Sequence, residues 1–279
     1  MDGFIKKYAV LMISSLSAFA ATAMAGPGDL LVSPVRVTFE GRDRVAELTL
    51  VNKGDAPANY RISFVNRRMN DDGSFEAIEA PTDGELFSES MVRYAPRSVS
   101  LAPNAPQTLR LMLRKPTELA EGEYRSHLHL AAVPDDAGSA SVEAASGNAD
   151  GISIQLKPIY GVTIPVIVRH GALSADAEIS ALSFAPSTDG AGELTLRLER
   201  NGTKSLYGDL ELLAAGSDKV VASMRGLAVY TPNTFRDVTF SIPAEAAAEI
   251  RGRPIEVRFA DRGRENSGIL ASATAGPVN

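Results

Sequence analysis

His127 and His129 stand two apart in "EYRSHLHLAAVP", and an H-x-H pair on one face of a strand can supply two zinc ligands. No third ligand is evident, and the same spacing fits an outward polar face alternating with core leucines, so no metal is expected. The remaining catalytic equipment is thin, with three histidines and no cysteine in 279 residues. The sequence contains no G-x-S-x-G elbow, H-E-x-x-H, P-loop or G-x-G-x-x-G. Asp71-Asp72-Gly73 opens like a calcium loop but lacks the later carboxylates, which leaves a hairpin turn. Asn201-Gly202-Thr203 has the form of a glycosylation sequon, although Asn-Gly reads first as a hairpin turn. No enzymatic activity and no cofactor are expected. A formal net charge of −6 also argues against nucleic acid, which requires clustered Lys and Arg.

The elements around these residues read as strands. Ala46, Leu48 and Leu50 fall on one face, then Tyr60, Ile62 and Phe64 fall in step after the break "NKGDAPAN". Leu109, Leu111 and Leu113 alternate with Arg110, Met112 and Arg114, and Leu128 and Leu130 alternate with the two histidines. Later in the chain, Leu194, Leu196 and Leu198 are followed by Leu206, Leu210 and Leu212. The best helical candidate, Pro243 to Gly252, spans barely two turns. The expected class is all-β: two immunoglobulin-like β-sandwich domains in series, covering 26–170 and 171–279, with the joint near Arg169-His170-Gly171.

The first 25 residues read as a signal peptide: two lysines, an apolar run from Tyr8, and Ala23-Met24-Ala25 in the small-x-small form. That run is shorter than the ~20 apolar residues of a spanning helix, and no membrane insertion of the mature chain is expected. An exported chain without cysteine has no disulfides, so its stability must come from burial. The small, polar stretch "DDAGSASVEAASGNAD", Asp135 to Asp150, is expected to form a loop.

The ribbon "GISIQLKPIYGVTIPVIVRHG" follows this loop. Ile152, Ile154, Leu156, Tyr160, Val162 and Ile164 all occupy even positions, interrupted only by Pro158. As a strand, Ile152 to Ile164 would span roughly 40 Å, more than twice the usual length. An exposed edge of that length invites pairing with another chain, and prolines guard such edges. Pro158 and Pro165 have opposite parity, so at least one must mark a bulge or the end of regular pairing.

The opening "SPVRVTFEGRDRVAELTLVN", the stretch "LAEGEYRSHLHLAAVPDD" and the ribbon together resemble the PapD-like periplasmic chaperones of fimbrial assembly. His129 stands where that family usually has asparagine, and Tyr124 where it often has a small hydroxyl residue. The resemblance implies a non-enzymatic periplasmic chaperone that caps pilin-like subunits by donor-strand complementation and passes them to an outer-membrane assembly protein, the usher. It makes Ile152, Ile154, Leu156 and Tyr160 the donor side chains. It also implies that Arg36 anchors the subunit's terminal carboxylate. Pro165 replaces the family's second anchor, a lysine, and Lys157, eight residues earlier, stands as a substitute. An interdomain ion network of Glu123, Arg169 and Glu249 completes the implied set. The rival reading is a structural or adhesive cell-surface sandwich, in which Arg36 and the network residues are ordinary surface charges.

Overall fold

The computed structural model describes residues 29–133, 160–262 and 268–277. The leader, the loop Asp135–Asp150 and the positions Ile152, Ile154, Leu156 and Lys157 lie outside the described residues. The chain is all-β and forms two sandwiches in series. The first comprises Leu30–Ser33 (β1), Val37–Phe39 (β2), Val45–Asn52 (β3), Ala58–Met69 (β4), Phe75–Ile78 (β5), Val92–Ala95 (β6), Ser98–Leu101 (β7), Pro106–Leu113 (β8), Gly122–Val133 (β9) and Gly161–His170 (β10). One of its sheets runs β1-β3-β8-β6. The other runs β2-β10-β9-β4-β5, with β7 also on β4.

The second sandwich comprises Ala175–Pro186 (β11), Gly192–Gly202 (β12), Leu206–Ala214 (β13), Val220–Val229 (β14), Phe235–Ile242 (β15), Pro254–Asp261 (β16) and Ile269–Pro277 (β17). The sheet β11-β12-β15 faces the sheet β14-β13-β16-β17. The helix expected around Pro243–Gly252 is Ala244–Ile250 (α1), which turns Ala247 and Ile250 into the core. The alternating leucines do what their spacing predicts: Leu48, Leu50, Leu109, Leu111, Leu128 and Leu130 are all fully buried in the first core.

One expected turn differs. Asn201-Gly202 does not close a hairpin, because β12 pairs with β11 and β15 while β13 pairs with β14 and β16. The chain crosses there from one sheet to the other. Gly202 has φ +113°, and a Cβ at that position would lie 2.4 Å from the Ser174 carbonyl oxygen. The dipeptide therefore supplies a backbone shape and leaves open which strands will pair.

Near the joint the β10-β9-β4 sheet is buried on both faces, as at Glu123 to Leu128 and Val166 to Val168. Even-numbered residues, among them Tyr60, Leu128, Leu130, Ile164, Val166 and Val168, enter the first core. Odd-numbered residues take the opposite face, which the second sandwich covers near the joint, and two of them, Met69 and Ile167, belong to the second core. His127 shares that face and is buried, whereas its alternation with leucines predicts an outward, wet face. The second sandwich takes the place of water.

The turn Asp71–Gly73 between β4 and β5 is a hairpin, as expected, and it reaches across to the second sandwich. Asp71 O accepts from Asp237 N at 2.7 Å, and Met69 O accepts from Asn233 Nδ2 at 3.0 Å. Gly73 has φ +83°, and a Cβ there would come within 2.1 Å of the Arg236 guanidinium. Gly73→Ala is therefore expected to destabilise by about 1–2 kcal/mol from backbone conformation alone, and to push Arg236 aside. Urea unfolding checks this, and an unchanged midpoint would contradict it.

Candidate functional site

β10 pairs along its whole length with β9, from Gly161 opposite Ala131 to His170 opposite Gly122. On its other side it meets β2 only at Val166–Val168, in parallel. Among the described residues, the outer edge from Gly161 to Pro165 has no strand partner. The orientation of its groups follows from one bond: Tyr160 O accepts from Ala132 N at 2.9 Å, so even residues bond inward to β9 and odd residues face outward. Gly161 and Thr163 thus present both N–H and C=O to the open edge, and Pro165 presents only C=O. Pairing with β2 begins one residue later. Pro165 thus marks a break in outer-edge pairing.

Arg36 stands at that break. One step before Val37 in the parallel register, it comes level with Pro165. It is half-buried, with its guanidinium 4.4 Å from the Tyr207 ring centroid and Nη1 donating to Tyr230 Oη at 3.0 Å. A cation held over aromatic faces keeps its charge while losing part of its hydration. Arg36, Arg169 and Lys204 share the wall of a cleft of about 360 Å³ with Glu40 and Asp43. Tyr160, the one candidate donor among the described residues, is 56 % exposed.

The structure brings Arg169 and Glu123 together and leaves Glu249 apart. Arg169 Nε donates to Glu123 Oε2 at 2.9 Å, and Arg169 Nη1 to the exposed Glu40 at 3.2 Å. The Glu123 side chain has no exposed surface. The contact from the second sandwich comes from Ser205, whose backbone N donates at 3.1 Å and whose hydroxyl also donates to Glu123. Glu249 lies on α1 and pairs with Lys219 at 2.5 Å, both side chains being well exposed. Carboxylates at a helix end and at a joint look alike in a sequence, and only the fold separates them.

Between these features lies a group of residues whose role in the joint the sequence reading missed. Arg125 is 7 % exposed, stacks 4.4 Å from the Tyr230 ring centroid and donates to Arg67 O at 3.1 Å. Burial lowers the pKa of Arg125 and of Arg236. His127 is 4 % exposed and packs edge-on against Phe75. Burial, reinforced by the Arg125 and Arg67 charges, pushes its pKa down to about 3. His129 shares a 2.8 Å hydrogen bond with Thr163 Oγ1 instead. The signal available in the sequence was the run Val166-Ile167-Val168, which is apolar without alternation and marks a strand covered on both faces.

No protein-family model matches the chain, and no curated protein matches it in sequence. Among solved structures it is similar to a chain of the CsuC–CsuE chaperone–tip adhesion subunit pre-assembly complex of Acinetobacter baumannii, at 14 % identity and TM-score 0.44, over 90 % of this chain and 99 % of that one. It is similar to the Pseudomonas aeruginosa CupB2 chaperone at 14 % identity and TM-score 0.42, over 88 % of this chain and 100 % of that one. It is also similar to a chain of the Salmonella enterica SafA pilin in complex with the SafB chaperone, at 15 % identity and TM-score 0.42, over 90 % of this chain and 98 % of that one.

Proposed function

We propose that this chain is a non-enzymatic periplasmic chaperone, exported by the leader Met1–Ala25, that caps pilin-like subunits by strand donation and delivers them to an outer-membrane usher. The supporting observation is the open outer edge of β10 from Gly161 to Pro165, which continues the apolar alternation from Ile152 to Ile164. A subunit strand laid along that edge gains main-chain hydrogen bonds, while Ile152, Ile154, Leu156 and Tyr160 complete its unfinished core. The pairing stops at Pro165, and Arg36 stands level with that stop to receive a terminal carboxylate. Lys157 belongs to the same proposal as a second cation on the ribbon. Within it, the Glu123–Arg169 pair fixes the angle between a first domain ending at 170 and a second beginning at 171. Release needs no nucleotide, because a better-fitting subunit strand replaces the chaperone's.

Replacing Ile154 and Leu156 together by Asp tests the proposal. Each buried apolar side chain contributes about 1.5–3 kcal/mol, so losing two should weaken subunit capture by about a hundredfold or more. The readout is co-purification of small periplasmic proteins from cells expressing pili, with circular dichroism confirming an intact fold. Capture at wild-type yield would overturn strand donation through this row.

A further inference from the structure

A second cavity, of about 190 Å³, is lined by Tyr230, the residue that also receives the Arg36 hydrogen bond, and nothing in the proposed function uses it. Its walls include Arg67 of β4, His127 of β9, Thr163 and Pro165 of β10, and Tyr230 and Arg236 of the second sandwich. Among the described residues, Arg67 makes no side-chain hydrogen bond and no ion pair. The Arg236 guanidinium has one bond, from Nη1 to Ala228 O at 3.2 Å, and its Nε has none. Asp72 acts on Arg236 only at longer range, its carboxylate being taken up by Ser74.

The third donor follows from valence. His127 Nε2 lies 3.4 Å from Arg125 Nη1, and an arginine only donates, so Nε2 accepts and the ring proton sits on Nδ1. That Nδ1–H has no acceptor. The joint therefore gathers N–H donors from Arg67, His127 and Arg236, two of them on permanent cations; among the described residues no carboxylate lines this cavity, and Glu85, which meets Arg67 and Arg125 in a neighbouring pocket, is taken up by Arg68. Arg67 and Arg236 are partly buried, and partly dehydrated charge of one sign is costly, which an anion relieves.

We propose that this cavity is a carboxylate-binding site bridging the two sandwiches, gripped by Arg67 from the first and Arg236 from the second. The position of β10 identifies how a carboxylate gets there. Thr163 and Pro165 are odd-row residues, and the side chains of an added strand that lie beside theirs share their face of the sheet. An Asp or Glu at that place in a partner strand enters the cavity, while the partner's alternate residues face the other way. The alternative source of the same chemistry is a free small carboxylate. The partner arm rests on the strand-pairing reading above; the binding arm does not.

The binding arm uses the free full-length protein and acetate, with chloride at equal ionic strength as reference. A ligand at ten times its dissociation constant lowers the unfolding constant about elevenfold. That stabilisation should appear in wild type and vanish in Arg67→Gln and in Arg236→Gln. Nitrogen-15 spectra of wild type supply a readout that needs no variant: the Arg67 and Arg236 Nε–H signals should shift with acetate and saturate. Equal acetate responses in wild type and both variants, or Nε–H signals that never move, overturn the proposal. In the complex with a co-purified partner, loss of the acetate response assigns the site to the partner's side chain, and a retained response assigns it to a free anion.

Discussion

Glu123→Ala is expected to lower the stability of the folded chain by about 3–5 kcal/mol, the usual cost of removing one member of a buried pair. The carboxylate has no exposed surface and takes hydrogen bonds from Arg169 Nε and from the backbone and hydroxyl of Ser205. Without it, Arg169, itself only 15 % exposed, keeps one carboxylate partner, Glu40, which is too solvated to compensate. The Ser205 N–H also loses its acceptor. Ser205→Ala removes two hydroxyl bonds, the donation to Glu123 and the 3.1 Å acceptance from Thr231 N, and should cost about 2 kcal/mol. Urea unfolding of the two variants separates these values. A Glu123→Ala variant within 1 kcal/mol of wild type would mean that the pair contributes little to holding the joint.

The second large effect depends on pH and arises at His127. Its folded pKa is about 3, against about 6.5 for an unfolded imidazole. Above pH 6.5 both states are neutral and stability is unaffected. Below it the unfolded chain binds a proton that the folded chain refuses, so stability falls as pH falls, by about 1.4 kcal/mol per pH unit until the folded group titrates. Among the described residues nothing facing the ring offsets this: Arg125 shares β9, Arg67 approaches from β4, Phe75 from β5, Thr163 and Pro165 from β10, and Tyr230 and Arg236 line the same cavity from the second sandwich. Between pH 7 and pH 5 wild type should lose about 2 kcal/mol more than His127→Gln, because all other titrations cancel in the comparison. Unfolding curves for the two proteins at both pH values decide it, and parallel losses would refute the assignment to His127.

Period-two alternation carried most of the architecture. Leu48, Leu50, Leu109, Leu111, Leu128 and Leu130 occupy the core because each lies on a run whose alternate positions are mostly polar. The short helix and the Asp71–Gly73 hairpin were legible for similarly local reasons. Alternation also has a blind spot, for it says that a face is polar and not what will cover it. Arg125 and His127 look like residues of a wet face and are sealed by a second sandwich more than a hundred residues away in sequence, at Tyr230 and Thr231. At the joint, the pairing of Arg169 with Glu123 joins neighbouring strands, whereas the remaining partner, Ser205, is an unremarkable serine that acts through its position. No spacing rule would select it over Glu249.

The shared sheet face also bears on the order in which the chain is made. Met69 and Ile167 are completed before any strand of the second sandwich exists, yet they end in one core with Leu198, Leu206 and Val229. For that interval the back of β4, β9 and β10 stands in water. A face built only of apolar residues would be an adhesive surface while it waited. Arg67, Arg125 and His127, which weaken the finished joint by having to be dehydrated, keep the unfinished one wettable. A few apolar side chains, Met69, Ile167 and Phe75, set among cations are enough to seat the second sandwich when it arrives, and too few to capture a stray chain beforehand.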